Sequence, residues 1–376
     1  MARTANTWGH PRAWRRADME ADSGWRWALS PAARDGLLRA VDHARRLDRP
    51  ILAMTADDFP LSSPAAAAVR QAFAAVQGRW GVCLLSGLPV REWSEADTRL
   101  AHWGIGLHVG VARPQNAASE VMNDVRDAGG AYQVRNGRGY NTNLKLDFHI
   151  DFCDVVSLLC RRTARSGGTS LVSSSLAVID EIRREHPELA PALLEPIPFS
   201  WQGTQAPDDA PLYMSPMSGE KDGAIAFRTN RKNIVAAQRD FPHAPRLTGR
   251  QQALVELVDL LLADERFCYA MRLDEGDLQL VNNYVIVHSR TGFEDFETID
   301  EKRHLLRLWL AVPDAQPLPD GWRDAFKDTR ARAVRGGVRG QGITSMFLAY
   351  EARQAARLGM ANIFAATGDR AGAVRT

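Results

Sequence analysis

Residues 267–287, FCYAMRLDEGDLQLVNNYVIV, decide the fold class. Apolar, aromatic and β-branched residues fill two runs separated by Asp274-Glu-Gly-Asp277, where a glycine among acids marks a turn. Neither run shows a helical repeat, so both read as strands. The same signals recur at 154–161, 169–174 and 196–201, in a hairpin across 213–228, and at 304–312. Helices interrupt only after Ser175 and after Thr248, whose capping box with Gln251 precedes Leu254, Leu257, Val258, Leu261 and Leu262 on one face. Many short strands with few helices predict a mainly β protein with flanking helices, a sandwich or barrel instead of a parallel βαβ sheet. No Rossmann or P-loop glycine pattern occurs.

Outward from this core the organisation changes. Residues 1–79 read as a helical N-terminal region, with apolar residues at helical spacing over 31–44 and 65–76. WGVCLLSGLPV (80–90) opens a β-rich core, 80–319, and Ser94 with Asp97 caps a further helix. Residues 129–143, rich in glycine, asparagine and arginine, form a long loop ahead of the first chemical motif. Residues 320–376 read as a basic, partly helical extension, an appendage joined through RGGVRGQG (335–342) to a last helix over 345–358.

The 376 residues are 45% apolar and 24% charged, ordinary for a globular chain with a sizeable core. Lysine and arginine (47) nearly balance aspartate and glutamate (45), and a net charge of +2 supplies no field for nucleic acid or an anionic membrane. Cys83, Cys153, Cys160 and Cys268 form no CxxC pair and read as reduced thiols. Residues 1–20 lack the apolar run of a signal peptide, and no segment is long and apolar enough to span a membrane, so a cytoplasmic protein is expected, with a homo-oligomer left open.

In Phe148-His149-Ile150-Asp151, residues two apart on a strand project to one face, so an imidazole and a carboxylate point together. Among nine histidines such a pair is weak evidence alone. His288, ending the apolar run from Leu280, is a third ligand candidate that completes a 2-His-1-carboxylate face with open metal positions, the arrangement of non-haem iron(II) oxygenases. Downstream, Arg303, Leu305, Arg307 and Trp309 share one face of a strand whose other face, His304, Leu306, Leu308 and Leu310, is also largely apolar. At least one guanidinium therefore points inward and demands an anion. The two stems start roughly 13 Å apart, enough to serve two anionic groups in one elongated cavity.

An H-x-D, a Gly-Gly strand, and a distal His followed by R-x-x-x-R, in this order, resemble the taurine dioxygenase and clavaminate synthase-like superfamily over about 80–312. The resemblance implies a double-stranded β-helix, or jelly roll, with iron(II) held by His149, Asp151 and His288. It implies 2-oxoglutarate and O2 as cosubstrates, with Arg303 on the distal carboxylate of 2-oxoglutarate. Gly167-Gly168-Thr169-Ser170 matches the family's G-G-x-T, which aligns Ser170 with a hydroxyl that helps hold that carboxylate. Serine departs from threonine, and adjacent Thr169 leaves open which hydroxyl serves. Arg307 falls where relatives hold the substrate's anionic group or the cosubstrate's inner carboxylate. Tyr140, Asn141 and Asn143 are close enough in sequence to His149 to contact a substrate. Because Asp151 is retained, hydroxylation is expected, with desaturation or cyclisation as variants, and Arg307 points to a small anionic substrate, an amino acid or derivative, with a sulfonate or aryloxy acid as the alternative. A jelly-roll binding protein without turnover competes, against which the intact metal and cosubstrate residues argue, as does a zinc hydrolase or cupin isomerase, which Arg303 with the Gly-Gly strand separates.

Overall fold

The computed structural model describes residues 10–340 and 342–364. The first residues of the N-terminal region, Gln341 of the glycine-rich link and 365–376 of the basic end lie outside them. A seven-stranded sheet and a three-stranded sheet are flanked by helices, a mixed α/β architecture. In the large sheet His304–Ala311 pairs with Val155–Arg162 on one side and with Met122–Val125 and Val111–Arg113 on the other. From Val155–Arg162 the sheet continues through Leu278–Asn282 and Val82–Ser86 to the edge Arg26–Ala28. The small sheet centres Ser170–Ser174 between Cys268–Met271 and Ile286–Arg290.

The turn at Asp274 is present. Asp277 Oδ2 accepts from Asp274 N at 2.8 Å, and Gly276 adopts φ +87° where a Cβ would come within 2.3 Å of the Leu88 carbonyl oxygen. It does not close a hairpin, because Cys268–Met271 joins the small sheet and Leu278–Asn282 the large one. The turn thus ties the two sheets together.

Period two sorts the strand His304–Ala311. Leu306, Leu308 and Leu310 bury outward beneath the helices Pro31–Leu47, Ser63–Val76 and Glu95–Val109, in one core with Leu37, Val69 and Trp103. Each such leucine contributes about 1.5–3 kcal/mol by burial. Leu305 and Trp309 face inward, sharing a second core with Val156, Val172 and Val287 from both sheets. Ser94 and Thr248 each form the expected capping box. Sequence reading missed the helix Arg231–Asp240, capped by Asn230.

The described part of 320–364 is not an appendage. Trp322, Phe326, Phe347 and Tyr350 are buried, and the fully buried Arg335 donates from Nε to Asp154 Oδ1 at 2.7 Å. Gly337 N donates to the Phe152 carbonyl at 2.6 Å, and buried Arg113 pairs with Glu351 of the helix Ser345–Arg357. The glycines that suggested a flexible link hold positive φ, at Gly336 and Gly337, where the backbone passes against other chain segments. All four cysteines are free. Among the described residues no helix is long and apolar enough to cross a membrane.

Candidate active site

His149 is held by backbone on both sides. It exchanges hydrogen bonds with His288 (3.0 and 3.1 Å) and bridges Asn230 across its other edge, while Ile150 N donates to the Thr229 carbonyl. The chain then bends at Asp151, whose N donates to Asn283 Oδ1 at 3.2 Å, and fully buried Asn283 returns a bond to the Cys153 carbonyl. Ligand atoms of His149, Asp151 and His288 lie within 4.8 Å of one another. His149 Nε2 is 3.9 Å from Asp151 Oδ1, and His288 Nε2 is 3.7 Å from Oδ2.

Their protonation suits a metal. His149 Nδ1 donates to the Asp147 carbonyl at 2.8 Å, which fixes the tautomer with a free Nε2 lone pair. Burial, then neighbouring His288, pushes the His149 pKa down to about 4, so the imidazole is neutral. Burial alone would raise the pKa of Asp151, but Arg307 and the two histidines hold it below the usual carboxylate range. Asp151 Oδ2 accepts from Trp309 Nε1 at 2.9 Å and Arg307 Nη1 at 3.3 Å. Arg307 is itself fixed by Gln115, whose Oε1 accepts from Arg307 Nε at 2.8 Å.

This group lies in a cavity open to solvent, with Arg303, Leu305, Arg307 and Trp309 all on its wall. Ser170 lines it too, its Oγ 2.9 Å from Gln279 Nε2. Directly opposite Ser170 in strand register is Arg290, a wall residue that the motif reading missed. The signal was available, since Arg290 lies two residues beyond His288 and so on the same strand face. Arg303 Nη1 and Arg290 Nε and Nη1 are buried without a hydrogen-bond partner. Burial lowers the Arg303 pKa to about 10, and burial together with Arg303 lowers that of Arg290 to about 9. Each of these buried guanidiniums thus keeps free N–H donors with no carboxylate bonded to it, an unmet demand for an anion.

Other expected contacts are not brought into the wall. Thr169 instead exchanges bonds with Thr291 along the strand edge. Asn141 packs against Gly130, and Asn143 is exposed, its carbonyl accepting from Phe293 N. These correct the placement of Thr169, Asn141 and Asn143 at the site. From that loop Tyr140 does reach the wall, its ring 5.6 Å from the Arg307 guanidinium, as do Arg138 and Gly137.

A family model, taurine catabolism dioxygenase TauD, TfdA family, matches residues 46–309. The chain belongs to that family. It is 29% identical over 314 residues to FR-33289 synthase of Streptomyces rubellomurinus (strain ATCC 31215), covering 81% of this chain and 91% of that one. Its fold is similar to asparagine oxygenase solved with Fe(II), 3-hydroxyasparagine and succinate (TM-score 0.55, 17% identity, 76% of this chain and 93% of that one). It is also similar to the non-haem iron oxygenase OrfP with iron, succinate and (3S)-hydroxy-L-arginine (TM-score 0.56, 14% identity, 76% and 94%). The chain is therefore an Fe(II)- and 2-oxoglutarate-dependent dioxygenase of the TauD, TfdA family. Its residues fit both groups: a neutral imidazole, a second histidine and an ionised carboxylate converge, and the free N–H groups of buried Arg290 and Arg303 match a carboxylate.

Proposed function

We propose that this dioxygenase hydroxylates an unactivated C–H bond of a small anionic substrate, an amino acid or derivative, on a jelly-roll scaffold. The carrying observation is that one cavity holds the His149, Asp151 and His288 group together with buried, unpaired Arg290 and Arg303. His149, Asp151 and His288 would hold iron(II). Arg303, with Arg290 and the Ser170 hydroxyl, would hold the distal carboxylate of 2-oxoglutarate by charge-assisted bonds. Bound there, iron(II) and 2-oxoglutarate with O2 supply the oxidising power for C–H cleavage and leave succinate and CO2. The chain's own part is orientation. Asn283 and Trp309 fix Asp151, Asp147 fixes the His149 tautomer, and Gln115 fixes Arg307, so that the reacting C–H is aimed from a rigid frame.

Arg307 has a double duty in this reading. Its Nη1 steadies Asp151, while its wall position faces the substrate space beside Tyr140. A succinate-release assay with iron(II), ascorbate and a panel of amino acids and related acids tests the proposal. Substrate-stimulated succinate with a product 16 mass units heavier is expected. A product two units lighter would instead favour desaturation or cyclisation, and absence of 2-oxoglutarate turnover across the panel would favour a binding protein.

A further inference from the structure

The proposed function leaves part of the cavity's charge unused. Its walls carry five cationic side chains, Arg138, Lys232, Arg290, Arg303 and Arg307, against a single carboxylate, Asp151. Iron(II) and 2-oxoglutarate bring opposite charges that cancel, so the five-to-one surplus persists in the loaded enzyme. Arg290 and Arg303 are matched to the cosubstrate and Arg307 already bonds Asp151. Arg138 and Lys232 remain, and neither forms an ion pair among the described residues.

Their position sets them apart from the cosubstrate. His149 lies between His288 on one backbone edge and Asn230 on the other, so the Ser170 and Arg290 strands and the segment at Asn230 flank it on opposite sides. Asn230 caps the ten-residue helix Arg231–Asp240, and its first turn, Lys232 and Asn233, lines the cavity. Arg138 reaches in from the facing loop, held by a 2.8 Å bond from Nη2 to the Gln202 carbonyl, and Lys232 Nζ donates to the Gly137 carbonyl. Burial depresses the pKa of both, which marks cations placed at a cost with no counter-ion of their own.

An arginine, a lysine bonded to the carbonyl of the adjacent Gly137, and a helix start, all lining one cavity, suit a tetrahedral group with several charged oxygens. Resting on the oxygenase reading above, we propose that Arg138, Lys232 and the helix start at Asn230 form a subsite for a doubly charged phosphoryl group, a phosphate monoester or a phosphonate, on the substrate.

The test is a calorimetric titration of the anaerobic protein loaded with iron(II) and 2-oxoglutarate. Methyl phosphate, methylphosphonate and methanesulfonate are compared at about pH 7.5, where a phosphate carries close to two charges. Methanesulfonate has the same shape but one charge. At least one phosphorus probe should bind about tenfold or more tighter than methanesulfonate, as expected for an added charge-assisted contact. Whichever phosphorus probe binds tighter distinguishes an ester from a phosphonate. In Arg138→Gln and in Lys232→Gln the preference should fall below about threefold while 2-oxoglutarate affinity is kept, which also reports an intact fold. Equal binding of the three probes, no binding of either phosphorus probe, or a preference that survives both substitutions overturns the subsite. If the visible band of the iron–2-oxoglutarate complex forms while the preference is absent, the subsite fails and the oxygenase reading stands. A preference without that band does the reverse.

Discussion

At the scale of single residues, charge and geometry separate the arginines. Arg303 and Arg290 offer partnerless N–H groups, so Arg303→Lys, which keeps charge but loses the fork, should raise the apparent 2-oxoglutarate constant. Hydrogen bonds to charged groups are worth about 1.5–3 kcal/mol, which sets the loss at roughly ten- to a hundred-fold. Arg290→Lys should act in the same direction, and steady-state titration of 2-oxoglutarate checks both. Arg307→Lys should behave otherwise. It removes a bond to Asp151 and loosens the substrate face, so weaker iron binding and more succinate released without product are expected, with 2-oxoglutarate affinity within about threefold. Equal losses of 2-oxoglutarate affinity in Arg303→Lys and Arg307→Lys would contradict this division. The motif reading reached Arg303 and Arg307 because strand periodicity is visible in sequence. It passed over Lys232 and Arg138, whose meeting depends on how a loop and an unforeseen helix fold toward each other.

At the scale of elements, the segment after Pro319 clamps the loop that carries Asp151. Asp154 receives Arg335 Nε at 2.7 Å, bonds the Tyr284 hydroxyl and accepts from Val312 N, all in the interior. Arg335→Met leaves that carboxylate buried without its cation, which costs about 3–5 kcal/mol. Chemical denaturation should show the loss, and the double variant Asp154→Asn with Arg335→Met should recover part of it. A single variant as stable as the parent would show that the tail is dispensable. This element was the least legible in sequence. Glycines in RGGVRGQG suggest flexibility by composition, yet a Cβ at Gly336 would lie 2.4 Å from the Phe152 carbonyl oxygen, so they serve close approach. Strands and caps were read well because period two and the Ser94 and Thr248 boxes are local, whereas the sheet that each strand joins is not.

At the scale of the whole molecule, a net charge of +2 conceals an interior surplus of cations. Burial, then Arg138, lowers the Lys232 pKa from 10.5 to about 8, so folding disfavours its charged form. The penalty is fully present below about pH 8 and is relieved as pH rises toward 10.5, since the unfolded chain binds the extra proton in that window. Lys232→Met should therefore stabilise the protein at neutral pH, with a gain that shrinks between those limits; a pH-independent gain in denaturant midpoint would refute it. A destabilising cation kept at a cavity wall is the usual signature of stability traded for binding. The central claim, one cavity built for iron(II) and 2-oxoglutarate together, is tested most directly by mixing the metal-free protein anaerobically with both and recording the visible spectrum. The account predicts the charge-transfer band of a chelated 2-oxo acid, abolished by EDTA and absent in folded His149→Ala and His288→Ala. Iron-loaded, folded wild-type protein that shows no band with saturating 2-oxoglutarate would contradict it.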